Sequence, residues 1–201
     1  MLISSVDLQQ FRNYTRQKIE LHQKLTVFVG KNGSGKTNVL ESVRYLTAAQ
    51  SFRVKRDLDL IHWGDEYARV EGFFDDEGRN YSQFYFLERL VLRNGKERVK
   101  KTFSIFDKKV KPVEFVGNVS SVIFAPQDMQ LLTDSPGTRR RYIDSLLSQI
   151  DSKYYHHLVQ YKKTVKQRNA VLDLIMKNQA SSQQLEPWDE QLILHGSFLI
   201  E

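Results

Sequence analysis

The 201-residue chain contains no cysteine, which excludes a disulfide framework, a thiolate metal site and a cysteine nucleophile. The same absence fits a cytoplasmic protein, the location expected here. No stretch approaches the roughly 18 uninterrupted apolar residues of a membrane span. The opening residues Met1-Leu2-Ile3-Ser4-Ser5-Val6-Asp7-Leu8 lack the basic flank and apolar run of a signal peptide. A soluble protein with no membrane partner is expected. Tandem repeats, low-complexity segments and any grouping like a catalytic triad are also missing.

Hydrophobic residues make up 40% and charged residues 27% of the chain, a globular composition. The length suits one domain, or one domain and part of a second. A formal net charge of +6 points toward a polyanionic partner, although many basic proteins simply stay soluble this way.

Ile3, Val6 and Leu8 lie in a β-prone run, and Arg16–Leu21 reads as a second strand. Leu25-Thr26-Val27-Phe28-Val29, nearly all apolar and ending in glycine, predicts a strand buried on both faces. Val39, Leu40, Val43 and Leu46 recur at spacings of three and four, predicting a helix with one apolar face. From about Ala68 to Phe124 the pattern is β-rich. Asn94-Gly95 predicts a type I′ turn between two antiparallel strands, the second through Val99, Thr102, Phe103 and Ile105. Pro112 ends that run, and Ser121–Ala125 reads as another buried strand. Ser135 is a candidate N-cap with Pro136 in the first helical position. Farther on, Tyr154, Leu158, Tyr161, Val165, Arg168, Leu172 and Ile175 form a seam for an antiparallel partner helix. Lys177–Pro187 reads as the connection, and Trp188, Leu192 and Leu199 belong to the returning helix.

The chemistry is carried by Gly30-Lys31-Asn32-Gly33-Ser34-Gly35-Lys36-Thr37, which matches the P-loop pattern G-x-x-x-x-G-K-[ST]. Glycines let the backbone turn its N–H groups inward as a nest for phosphate oxygens, and the next helix adds its unpaired N–H groups and dipole. Lys36 is expected on the β- and γ-phosphates of ATP and the Thr37 hydroxyl on Mg2+. Asn32 and Ser34 are small enough not to obstruct the nest. A second carboxylate for magnesium is harder to find. Val122–Ala125 is followed by Pro126-Gln127 rather than an acid, and Asp107, Asp65 and Glu66 lack the preceding buried run.

The sequence resembles the RecF family of bacterial DNA-repair ATPases, relatives of the SMC and Rad50-like heads, over essentially its whole length. Leu8-Gln9-Gln10-Phe11-Arg12-Asn13-Tyr14 is similar to the family's opening motif, and Gly30 through Ser42 to its P-loop and helix. Ser51-Phe52-Arg53, Asp59-Leu60-Ile61 through Gly64, and Ala68-Arg69-Val70 match further landmarks. Phe124-Ala125-Pro126-Gln127-Asp128, Ser135-Pro136, Arg139-Arg140-Arg141 with Asp144, Lys166–Leu172 and Trp188-Asp189 continue the match.

The resemblance implies an α/β P-loop ATPase head of ABC/SMC type: a first lobe over residues 1–134, with a mixed sheet and an antiparallel β subdomain around the P-loop helix. The start of a helical second lobe, an antiparallel arm, would occupy residues 135–201. Family members run well past this length, so an amino-terminal fragment is expected, without the signature motif, second magnesium motif and switch residues. Such a fragment would bind nucleotide but hydrolyse it poorly or not at all. The intact protein would be a slow, DNA-stimulated ATPase that forms an ATP-dependent homodimer. It would bind DNA at gaps or single-strand/double-strand junctions and, with RecO- and RecR-type mediators, support recombinase loading, fork repair and SOS induction. Alternatives are a non-hydrolysing nucleotide-gated DNA-binding module, or another Rad50-like or SMC-like head.

By the same resemblance Gln127 is a candidate for magnesium and the attacking water, against a plain capping role after a strand. Arg12 and Asn13 are candidates for a nucleotide contact, against a structural turn. Arg53, Lys55 and Arg56 lie near where related heads contact DNA. Arg93, Lys96, Arg98, Lys100, Lys101, Lys108, Lys109 and Lys111 cluster around the predicted hairpin with few acids, as phosphate contacts or as solvated strand faces. Arg139–Arg141 at a helix start oppose its dipole and call for an acid or a partner. His156 and His157 are adjacent, so they point to different helix faces, and packing is the simpler reading than metal binding.

Overall fold

The computed structural model describes residues 2–200 apart from 55, 126, 127, 129, 130, 132 and 133. The chain divides into two compact units, Met1–Phe124 and Ala125–Glu201.

The first unit is built on six strands: β1 (Leu2–Phe11), β2 (Tyr14–Glu20), β3 (Tyr67–Asp76), β4 (Arg79–Val91), β5 (Glu97–Ile105) and β6 (Lys108–Val110). They form one sheet in the order β2-β1-β3-β4-β5-β6, with every neighbouring pair antiparallel. Strict alternation dictates which face is buried. Ala68, Val70, Gly72 and Phe74 point inward from β3, and Tyr81, Gln83, Tyr85 and Leu87 from β4. The register aligns Leu8, Val70, Tyr85 and Phe103 in a single row across four strands. Helix α1 (Lys36–Ala48) contributes Val39, Tyr45 and Leu46 to the same core. Gln83 is buried in that face without penalty, because its amide donates to the Leu46 carbonyl (2.6 Å) and accepts from Asn118 (2.8 Å). A short helix α2 (Pro112–Phe115) sets Phe115 against Phe103, with ring centroids 4.6 Å apart.

Five expectations need correction. Leu25–Val29 is not a strand, and Leu25 and Val29 are 72% and 90% exposed. Ser121–Ala125 is likewise not a strand, with Val122 and Phe124 86% and 84% exposed. A strand buried on both faces requires a hydrogen-bonded neighbour and a covering layer, and among the described residues neither segment has a strand beside it. The parallel component of the expected mixed sheet is therefore not formed here, and the described sheet is antiparallel throughout. The β4–β5 hairpin exists, but its turn is not type I′. Only Gly95 takes a positive φ (74°), Gly95 N–H donates to the Leu92 carbonyl and Leu92 N–H to that of Lys96, which closes a three-residue loop. Two consecutive positive φ values occur instead at Glu77 (51°) and Gly78 (86°), between β3 and β4. Lastly, Leu40 turns outward from α1 while Ser42 and Glu41 are buried.

The second unit contains α3 (Pro136–Ile150), α4 (Ser152–Met176) and α5 (Glu186–Ile200). Pro136 opens α3 behind Ser135 as expected, yet the Ser135 hydroxyl makes no capping bond. Asp134, just before it, accepts from Ser135 N–H and from the Thr138 hydroxyl, both at 2.8 Å, without bonding a helix amide. Those hydrogen bonds, with the nearby Arg141 cation, hold its carboxyl below the usual range, while Arg139 Nε donates to the Leu131 carbonyl (2.9 Å) and Arg141 to the Thr138 hydroxyl (3.1 Å). Asp151 caps α4 through Lys153 N–H. Helices α4 and α5 form the expected arm, with Pro187 inside the first turn of α5 rather than in the connection. Arg168, the single charge in the α4 seam, donates to Asp189 at 2.5 Å, which explains how the seam tolerates it.

His195 of α5 went unnoticed in the sequence. It is buried, its Nδ1 lies 3.1 Å from His157 Nδ1, and His157 stacks on Phe198 at 4.1 Å. Burial, then the neighbouring His157 and His156, lowers the His195 pKa below its ordinary 6.5. A base whose pKa is depressed by folding is protonated more readily in the unfolded chain, so stability is complete above about pH 6.5 and falls as pH drops below it. The expected slope is at most about 1.4 kcal/mol per pH unit for this one proton. Urea unfolding of the wild type and of His195→Gln, each at pH 7.5 and 5.5, should show a smaller acid loss in the variant. Equal losses would remove His195 as the cause.

Candidate nucleotide-binding site

The loop from Gly30 to Gly35 leads directly into α1, so the first free N–H groups of that helix open onto it. Gly33 (φ 82°) and Gly35 (φ 101°) both sit in the left-handed region, which L side chains enter only at a cost. The amides of Asn32, Gly33, Gly35, Lys36 and Thr37 donate to no backbone carbonyl among the described residues; the loop's own bond is Ser34 N–H to Lys31 O (3.2 Å). Lys36 Nζ donates to the carbonyls of Gly30 and Lys31, both at 2.8 Å. Its ammonium is thus held across the loop mouth beside the free amides. Thr37 is exposed in the first turn of α1. Unpaired N–H groups, a lysine and an exposed hydroxyl form a donor set that fits a triphosphate with a divalent cation.

Gly35 is fixed by space as well as by φ. A Cβ there would lie 2.6 Å from the Tyr14 hydroxyl and 2.8 Å from the Asn13 amide. Gly35→Ala is therefore expected to destabilise this unit by about 1–2 kcal/mol from the left-handed backbone alone, with the Tyr14 contact adding to it. A thermal melt followed by circular dichroism reads the loss, and an unchanged melt would mean that the loop is not held against the β1–β2 turn.

That turn brings together residues far apart in sequence. Arg12 has a positive φ of 57°. Its Nε and Nη2 each donate to Glu41 at 2.8 Å, and Nη1 donates to the Asp59 carbonyl at 2.7 Å. Glu41, on α1, is completely buried. It also accepts from the Ser51 hydroxyl and lies 3.7 Å from Arg53 Nη1. Arg53 donates to Asn38 Oδ1 (2.7 Å), and Asn38 donates to Asn13 Oδ1 (2.8 Å). Beneath this network Tyr85 is fully buried, and burial followed by the Glu41 charge pushes its phenol well above the ordinary 10.0. Arg12, Asn13 and Arg53 thus meet at one flank of α1, organised by a carboxylate the sequence did not single out. Arg56 is exposed ahead of a one-turn 3-10 helix at Asp57–Leu60. Gln127 and Lys55 lie outside the described residues. Among the described residues no group of three or more His, Asp or Glu side chains is placed to hold a metal ion.

The fold and the loop together define a P-loop ATPase head of the ABC/SMC type. Residues 2–127 match the family model "RecF/RecN/SMC N terminal domain", and the chain belongs to that family. Over its whole length it is 36% identical to the DNA replication and repair protein RecF of Clostridium botulinum (strain Loch Maree / Type A3) and to that of Clostridium perfringens (strain SM101 / Type A). It is also similar to two solved structures described as the recombination mediator protein RecF in the RecFOR pathway. The ATP form has TM-score 0.87 at 30% identity and the ATPrS form 0.86 at 30%; the match covers 99% and 98% of this chain and 52% of each of those chains. The chain spans about half the length of the curated relatives it matches, 53% in both clostridial cases.

Proposed function

We propose that this chain is the nucleotide-binding part of a RecF-type DNA repair protein, which binds ATP with magnesium through Gly30–Thr37. The observation that carries the reading is the run of unpaired amides flanked by Lys36 Nζ. Lys36 is the cation for the β- and γ-phosphates, the loop amides hold their oxygens, and Thr37 offers its hydroxyl to the metal. Magnesium, when bound, neutralises charge shared between those phosphates. Gln127 is proposed as a polar group reaching toward the metal and water. Arg12 and Asn13 have a part through the Glu41 network, which places the β1–β2 turn against Gly35.

In the intact protein the head forms an ATP-dependent homodimer that binds DNA at gaps or single-strand/double-strand junctions. Arg53, Lys55 and Arg56 are proposed DNA contacts, and RecO- and RecR-type mediators are the proposed partners in recombinase loading, recombination and the SOS response in the cytoplasm. The lobes are proposed to divide as residues 1–134 and 135–201, and turnover is proposed to be slow and DNA-stimulated. A second reading, a nucleotide-gated module that does not hydrolyse, is favoured for this chain by the absence of an acid after Val122–Ala125. Against a long coiled-coil head, α4 runs only from Ser152 to Met176 before α5 returns from Glu186.

Nucleotide affinity, ATP turnover and DNA retention should be compared in this chain and in a version extended to the length of its relatives. Tight binding without turnover in the short chain, and both in the long one, is expected. Absence of ATP binding in both would overturn the reading.

A further inference from the structure

The face of the six-stranded sheet opposite α1 combines aromatic rings with a basic ribbon. Register places Tyr67 and Phe86 side by side on β3 and β4 on this face, with Lys100 and Arg98 following toward the hairpin tip (Tyr67↔Glu88, Glu88↔Lys100, Leu90↔Arg98). The Tyr67 and Phe86 rings stack at 5.5 Å and 21°, and Tyr67 remains 38% exposed. Next to them Arg69 lies over Phe84 at 4.0 Å. From Glu88 to Lys101 the ribbon holds six cations, Arg89, Arg93, Lys96, Arg98, Lys100 and Lys101, against two acids, Glu88 and Glu97. Most of the chain's net charge of +6 is thus concentrated in one hairpin. Lys100, Arg89 and Lys101 are paired with Glu88 (2.9 Å), Glu97 (4.0 Å) and Asp57 (2.7 Å). Arg93, Lys96 and Arg98 form no ion pair among the described residues. The same face carries acids as well: Asp7 stands opposite Lys18, and Glu71 pairs with Arg69 at 2.9 Å. Positive charge is therefore concentrated at the β4–β5 end rather than spread over the sheet.

We propose that this end of the sheet binds single-stranded nucleic acid, with unpaired bases stacking on Tyr67 and Phe86 and phosphates held by Arg93, Lys96 and Arg98. Cations alone suit any polyanion. The exposed stacked pair selects among them, because only an unpaired base offers its π-face to an aromatic side chain, whereas a duplex presents edges and phosphates. The surface deepens the DNA-binding reading above and rests on it. It lies apart from Arg53, Lys55 and Arg56.

The test is fluorescence anisotropy of the full chain with a labelled oligothymidylate and with a blunt duplex, across a salt series. Reversing three charges (Arg93→Glu, Lys96→Glu, Arg98→Glu) should weaken binding of both probes and reduce the single-strand salt slope by about two. Tyr67→Ala should weaken the single strand roughly 5- to 100-fold while leaving the duplex unchanged, and Tyr67→Phe, which keeps the ring, should restore it. Circular dichroism melts and binding of an ATP analogue check that each variant is folded. A wild type that binds the single strand while Tyr67→Ala is indistinguishable from it, or loses both probes equally, overturns the surface but not the DNA reading. A wild type that binds the ATP analogue and neither oligonucleotide overturns the DNA reading, and this surface with it.

Discussion

Lys36→Ala is expected to weaken ATP binding by roughly ten- to a hundredfold, while leaving the fold within about 0.5 kcal/mol of the wild type. The first figure follows from deleting a charged donor to a phosphate, an interaction worth about 1.5–3 kcal/mol. The second follows from what Lys36 touches in the protein itself: two carbonyls, those of Gly30 and Lys31, on an exposed loop where water replaces the lost donor. Lys36→Arg keeps the charge but spreads it over a planar fork that does not occupy the same point, so intermediate affinity is expected. Titration calorimetry with ATP and magnesium, paired with a thermal melt of each variant, separates the two effects. ATP affinity unchanged in Lys36→Ala would place the nucleotide elsewhere, and the loop would then be only a turn.

Legibility in the sequence depended on whether the determinants were local. The P-loop is a contiguous motif between recognisable neighbours, so Gly30–Thr37 and the start of α1 at Lys36 could be read directly. Alternation sufficed for β3, the density of aromatic and branched residues for β4, and the three-and-four spacing from Tyr154 to Ile175 for α4, because each pattern is written within a single element. Leu25–Val29 and Val122–Phe124 show the limit of such patterns. Both meet every local criterion for a buried strand, yet a strand is completed by partners that its own residues do not encode. The hairpin turns show a milder version. Asn94-Gly95 has the side chains for a type I′ turn, but the pairing of Leu92 with Lys96 sets the loop length and therefore the turn. Long-range pairs were invisible. His195 and His157 are 38 residues apart and Arg12 and Glu41 are 29 apart, and nothing in either segment announces its partner. A glutamate at the sixth position of a helix reads as an exposed surface residue. Partners from three other segments, Arg12, Ser51 and Arg53, are what let Glu41 sit in the core.

That buried carboxylate should be the most sensitive single position for stability. Glu41 is fully enclosed and receives two bonds from Arg12, one from Ser51 and the field of Arg53. Replacing it with alanine leaves the Arg12 guanidinium, itself largely buried, facing a cavity without a counter-charge. Removing one member of a buried pair costs about 3–5 kcal/mol, most of it from the charge left behind. Glu41→Ala should therefore lose that amount in urea unfolding of the chain. Double substitution of Glu41 and Arg12 by similarly sized apolar residues should recover part of it, since no charge is then stranded. The same variant tests a functional consequence. Glu41 ties the β1–β2 turn to α1, and the turn packs Tyr14 and Asn13 against Gly35 at the end of the P-loop. Under conditions where Glu41→Ala is still folded, its ATP affinity should fall even though the Glu41 carboxylate pairs with Arg12, Ser51 and Arg53 rather than with a side chain of the Gly30–Thr37 loop. If stability drops and affinity does not, the network holds the lobe together but does not shape the loop; if neither changes, the buried ion pair is not formed in solution.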